Sequence, residues 1–88
     1  MITTDELKVQ LAEYHTAVKD LEEALAIDAS RKRVQELEHT MSRPGFYDDA
    51  ELSKKVFDEV GDLKGKLNRF EKLQGLYDDA ETMLVMLD

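Results

Sequence analysis

The side chains in this sequence best placed to do chemistry are acids, and they come in two doublets, Asp48-Asp49 and Asp78-Asp79. Paired carboxylates can hold Ca²⁺ or Mg²⁺ when a loop wraps further oxygen ligands around the ion. Neither doublet lies in a loop of alternating oxygen ligands with the glycine that such a turn needs. Neighbours on a helix point about 100° apart, so they do not converge on one ion. The imidazoles, His15 and His39, form no His-x-x-x-His pair and are expected on the surface. The chain has no cysteine, no Gly-x-Ser-x-Gly elbow and no glycine-rich phosphate loop. The sequence therefore reads as non-enzymatic, with no catalytic residue, no metal, no cofactor and no small-molecule ligand.

The remaining chemistry is charge and surface. The net charge is −8. Acids outnumber bases before residue 31 and after residue 43. Only the stretch between them, with Arg31-Lys32-Arg33, reverses the balance. Nucleic-acid binding rests on neutralised phosphates and normally shows a basic stripe. The triplet could touch RNA, but a solvated helix face is the plainer reading. The chain's 88 residues allow one domain, 1–88, with a small core. The lack of cysteine suits a reducing, cytoplasmic setting. Asp5, Glu6 and Lys8 interrupt any signal-peptide pattern. The longest uncharged apolar run, Met83 to Leu87, is far short of the ~20 residues of a membrane span.

The elements that position these residues read as helices. Thr3-Thr4-Asp5-Glu6 is a capping box. Behind it Leu7, Leu11, Tyr14, Val18, Leu21 and Leu25 recur in steps of four and three, a heptad seam with Tyr14 in the core. Continuing that phase would bury Asp28, Lys32, Gln35 and His39. A new phase fits instead: Ile27, Val34, Leu37, Met41. The jump predicts a break between 26 and 30, with Asp28 or Ser30 capping a second helix over 29–42. Ser42-Arg43-Pro44-Gly45 is a turn, since Pro44 disfavours helix before it and Gly45 admits a positive φ. Phe46 and Tyr47 follow and are expected to plug the bundle end together. Asp48 is the predicted cap of a long third helix over 49–87. Its stripe starts at Leu52 and passes through Val56, Val60, Leu67 and Phe70 to Leu87. Gly61 and Gly65 share a face, as a close helix crossing or as unconstrained exposed positions, and the second reading is preferred. The expected fold is all-α, a three-helix antiparallel coiled-coil-like bundle with one long C-terminal helix.

The run Asp28-Ala29-Ser30-Arg31-Lys32-Arg33 and then Pro44-Gly45-Phe46-Tyr47-Asp48-Asp49 resembles the N-terminal helical domain of the class-I bacterial release factors that read UGA and UAA. The long helix is similar too, at Val56, Leu63-Lys64, Phe70-Glu71-Lys72-Leu73 and Asp78-Asp79. Tyr47 stands where that family usually has Trp. The resemblance implies translation termination as the process. It also implies docking on the GTPase-associated region of the large ribosomal subunit, near the stalk-base protein, mainly through protein contact. In that family a Gly-Gly-Gln loop serves peptidyl-tRNA hydrolysis and a Ser-Pro-Phe loop serves codon reading. Neither a Gly-Gly nor a Ser-Pro pair occurs here. The apolar ending at Met83 to Leu87 looks like a helix cut from a longer protein. The interaction residues implied are Phe46, Tyr47, Arg31, Lys32 and Arg33. The alternatives are a free-standing helical scaffold that self-associates into a homo-oligomer through its long heptad stripe, or a release-factor decoy.

Overall fold

A strong N-terminal cap and two apolar phases produce three helices. The computed structural model describes residues 3–87. Helix α1 spans Thr4–Ala24, α2 Ile27–Met41 and α3 Ala50–Leu87, with a short 3-10 turn at Phe46–Asp48 before α3. There is no strand among the described residues, and the fold is all-α.

The capping box forms as the sequence predicts. Thr3 Oγ1 accepts from the Glu6 N–H at 3.1 Å, and Glu6 Oε2 accepts from the Thr3 N–H at 3.3 Å. Two N–H groups that no helical carbonyl can reach are thereby satisfied.

The break comes at the front edge of the predicted window, and α2 begins two residues earlier than 29. Ala26 adopts left-handed φ 51° and ψ 51° and directly precedes α2. No side chain caps α2, so the expected capping by Asp28 or Ser30 is corrected. Asp28 sits in the first helical turn and faces Arg31, 3.5 Å away. Ser30 is buried in the helix, and its N–H donates to the Ala26 carbonyl at 2.9 Å. The cause is Ile27, which is fully buried. Burying Ile27 on the inner face of α2 requires the helix to start before a cap at 28 or 30 could act.

After α2, Gly45 takes φ +82°, the positive value that the turn demands. One turn of 3-10 helix then shifts the start of α3. Asp49, not Asp48, is its cap: Asp49 Oδ1 accepts from the Leu52 N–H at 3.0 Å. The buried Ser53 hydroxyl lies 2.9 Å from the Phe46 carbonyl and 2.8 Å from that of Asp49, and can donate to either. The turn is thus tied to α3 by a short polar link inside the core.

Two compact units divide the chain. One comprises Ala26–Arg69; the other comprises the residues up to Leu25 with those from Phe70 onward. In the first unit, Leu37, Phe46, Val56 and Val60 form a buried cluster, with Met41 and Leu63 packed against it. Ser53, rather than Leu52, begins the inward stripe of α3, and Leu52 is 45% exposed. A Cβ at Gly61 would meet nothing within 4 Å, and one at Gly65 would touch only the end of Arg69. Neither glycine marks a tight helix crossing.

The second unit is more thinly covered. Val18 and Phe70 are buried, while Leu7, Leu11, Leu25 and Leu84 are only half-buried. Tyr14, predicted in the core, is 64% exposed. The heptad seam gave its direction correctly, but this unit consists of two helical segments. One neighbour covers the centre of a seam and leaves its flanks open.

Candidate interaction surface

The turn between α2 and α3 positions three aromatic rings. Phe46 enters the core and is 5% exposed, whereas Tyr47 stays outside at 68%. The expectation that both rings sink into the bundle therefore divides. The Phe46 and Tyr47 centroids are 5.0 Å apart at an interplanar angle of 77°. A third ring, Phe57 of α3, meets Phe46 edge-on at 5.9 Å and lies 6.0 Å from Tyr47, tilted by 35°. Edge contacts of this kind are favourable because the positive rim of one ring meets the negative face of another. Phe57 is 42% exposed, so it and Tyr47 form an open ledge resting on a buried ring. Sequence reading missed Phe57 because it lies off the apolar stripe, one residue after Val56. An aromatic off the stripe was itself the available signal.

The basic triplet lies on α2. Arg33 forks onto Glu59 of α3, with Nε 2.8 Å from Oε2 and Nη2 3.1 Å from Oε1. Its Nη1 also reaches Glu36 at 3.5 Å. The hydrogen bond to Glu59 raises the Arg33 pKa, and the same bond lowers the Glu59 carboxyl below its ordinary value. Arg31 faces Asp28, and Lys32 is exposed. A phosphate approaching the triplet would have to compete with carboxylates for two of its three cations. Nearby, Lys64 Nζ pairs with Glu38 Oε1 at 3.0 Å.

Away from the triplet, two titratable rings pack on each other. In the unit containing α1, the His15 ring lies 5.3 Å from that of Tyr77, tilted by 42°. Burial, then a hydrogen bond to Glu81, raises the Tyr77 pKa. Glu36 and His39 have the Glu-x-x-His spacing of some metal helices, but Glu36 is engaged by Arg33. No group of three or more potential metal ligands converges among the described residues. No described helix is long and apolar enough to cross a membrane. The arrangement presents an exposed aromatic ledge, Tyr47 and Phe57, and a partly neutralised basic strip.

Comparison with known proteins gives this surface a context. A relative from Acholeplasma laidlawii is 36% identical over 85% of this chain and 20% of its own length. One from Lactiplantibacillus plantarum is 39% identical over 82% of the chain and 19% of its own length. One from Clostridium perfringens is 30% identical over 94% of the chain and 24% of its own length. All three are peptide chain release factor 2. The chain matches an N-terminal fragment of that factor. It spans about a fifth of the length of these release factor 2 relatives. No protein-family model and no solved structure matches the chain.

Proposed function

We propose that this chain acts in translation termination in the cytoplasm as a non-catalytic docking segment on the ribosome. The carrying observation is its similarity, over most of its length, to proteins named peptide chain release factor 2. The partner is the GTPase-associated region of the large subunit, reached mainly through protein at the stalk base. Two features support protein rather than RNA contact. The net charge of −8 repels phosphate, and Arg31 and Arg33 are already paired with acids. The contact residues are Tyr47 and Phe57, with Phe46 holding them from below, while Arg31, Lys32 and Arg33 lie at its margin. Hydrolysis of peptidyl-tRNA and reading of the codon belong to loops outside this sequence.

The test is binding to large ribosomal subunits and to purified stalk-base protein across a salt series. The expected log–log salt slope is shallower than about −3, with Tyr47→Ala weakening binding and Lys32→Gln leaving it unchanged. A steeper slope that flattens in Lys32→Gln would transfer the contact to RNA and to the basic triplet. Equal binding by Tyr47→Ala would remove the aromatic ledge from the interface.

A further inference from the structure

The unit that pairs α1 with the last part of α3 carries an apolar groove that none of the preceding argument uses. One cleft of about 240 Å³ opens between Leu7, Leu11, Ala80 and Met83. A second, of about 210 Å³, opens between Tyr14, Val18, Leu76 and the same Leu11 and Ala80. The shared residues make the two clefts one continuous groove along both helices. Polar atoms contribute almost nothing to its walls. A third cleft also touches Leu11, but its walls carry Lys8 and Glu81. The bare apolar surface is therefore confined to one side of the pair.

That side holds both halves of a self-complementary contact. Leu11 and Val18 lie low in the groove, half-buried and buried respectively, while Tyr14, Leu76 and Met83 stand beside it at 64%, 68% and 66% exposure. Helices pack by setting ridges of side chains into grooves. When ridge and groove lie on one patch, a two-fold axis lays each copy's ridge into the other's groove. We propose that this face binds a second copy of the chain, so that two helix pairs close into a four-helix arrangement. The sequence placed self-association along the whole stripe of α3. The structure assigns it to this face, because the α3 stripe in the other unit is covered by α2 and Phe46.

Size sets the strength. The groove is lined from Leu7 to Val18 on α1 and from Leu73 to Leu87 on α3, about 17–21 Å at 1.5 Å per residue, and two helices side by side are about 20 Å wide. One face is thus roughly 400 Å², or about 800 Å² for both copies, below a standard specific interface and in the range of a weak, transient one. The dimer is micromolar or weaker. Each copy carries −8, so the two repel. Added salt screens that repulsion and strengthens the dimer. This salt dependence is opposite in sign to that of phosphate binding.

Sedimentation equilibrium of the full chain tests the proposal, from about 5 to 500 μM at low and high salt. The average mass should climb from the 10.1 kDa monomer toward twice that value, and further at high salt. Leu76→Glu should weaken the association at least about tenfold at unchanged helix content, because a charge would have to enter the apolar seam. Leu76 is exposed enough to accept this in the monomer, and Leu76→Ser is the milder second variant. Tyr47→Ala, in the other unit, should leave association unchanged and so separates this surface from the ribosomal one. A mass of 10.1 kDa at every concentration would overturn the proposal. So would association that survives both Leu76 variants, or mass that grows past the dimer without limit.

Discussion

Truncating Phe46 tests the central packing argument, because the same turn supplies its own control. Phe46 is 5% exposed among Leu37, Val56 and Val60, and its ring meets Tyr47 and Phe57 edge-on. Phe→Ala in a packed core costs about 3–5 kcal/mol, from lost transfer energy and the cavity left behind. The lower figure applies here. The ring plugs a turn rather than the middle of a helix, and exposed Tyr47 can swing in to fill part of the hole. A loss of about 3 kcal/mol is large against the ~4–13 kcal/mol expected for a chain of this length. It corresponds to a fall in thermal midpoint of roughly 12–24 °C. Tyr47→Ala removes a ring that is 68% exposed and should cost less than about 1 kcal/mol.

The assay is thermal and urea unfolding of both variants, followed by far-ultraviolet circular dichroism. A fall below about 4 °C for Phe46→Ala would mean that the ring contributes under about 1 kcal/mol. The buried-plug reasoning would then be refuted. Equal losses in the two variants would refute it differently, by showing that exposure does not rank these rings.

Further outcomes follow from the helix ends and the ion pairs. Asp49→Ala should lose about 1 kcal/mol by urea titration and Asp48→Ala less than about 0.5, since only Asp49 accepts from a helix N–H. Ala26→Gly should gain about 0.5 kcal/mol, because relief of left-handed strain outweighs the added freedom of the unfolded chain, while Ala26→Val should lose more than about 1. The Glu59 carboxyl is held below its ordinary value of 4.5, so its contribution is full above that value and is lost as pH falls through the lower folded value. The urea midpoints of the native chain and Glu59→Gln should therefore converge between pH 5 and pH 3, by a small amount because the pair is exposed.

The helices were legible because apolar spacing and caps are local. The steps from Leu7 to Leu25 and the Thr3–Glu6 box each lie within a few residues; the box formed as read, and the seam turned Leu7, Leu11 and Val18 inward while Tyr14 stayed exposed. The errors arose where the deciding fact is not local. The phase jump announced the break but not its residue: alanine is not usual in the left-handed position, where glycine or asparagine prevails, so nothing marked Ala26 itself. The α3 cap moved from Asp48 to Asp49 because burial of Phe46 wound one turn of 3-10 helix ahead of it. Periodicity showed which side of α1 faces a neighbour but not how wide that neighbour is, so Tyr14 was placed inside. The Arg33–Glu59 fork joins residues 26 positions apart and leaves no trace in either segment alone. That fork altered the reading of the triplet, from three free cations to one exposed lysine flanked by paired arginines.

The contrast between Phe46 and Tyr47 carries the functional argument furthest. Folding needs one ring at this turn, and Phe46 supplies it. Tyr47 adds one edge contact to a ring already buried, so stability alone gives little reason for an aromatic there. As a binding element it is well prepared. Gly45, the Ser53 link to the Phe46 carbonyl and the Asp49 cap fix the backbone on both sides. A tyrosine has few rotatable bonds, and one already braced by Phe46 and Phe57 loses little freedom when a partner covers it. Aromatic side chains covered in this way supply a large share of interface energy. The same cannot be said of Arg33, whose fork to Glu59 must be broken or shared before it can serve a partner. The turn's second aromatic, rather than the basic triplet, is therefore where a substitution should separate binding from folding.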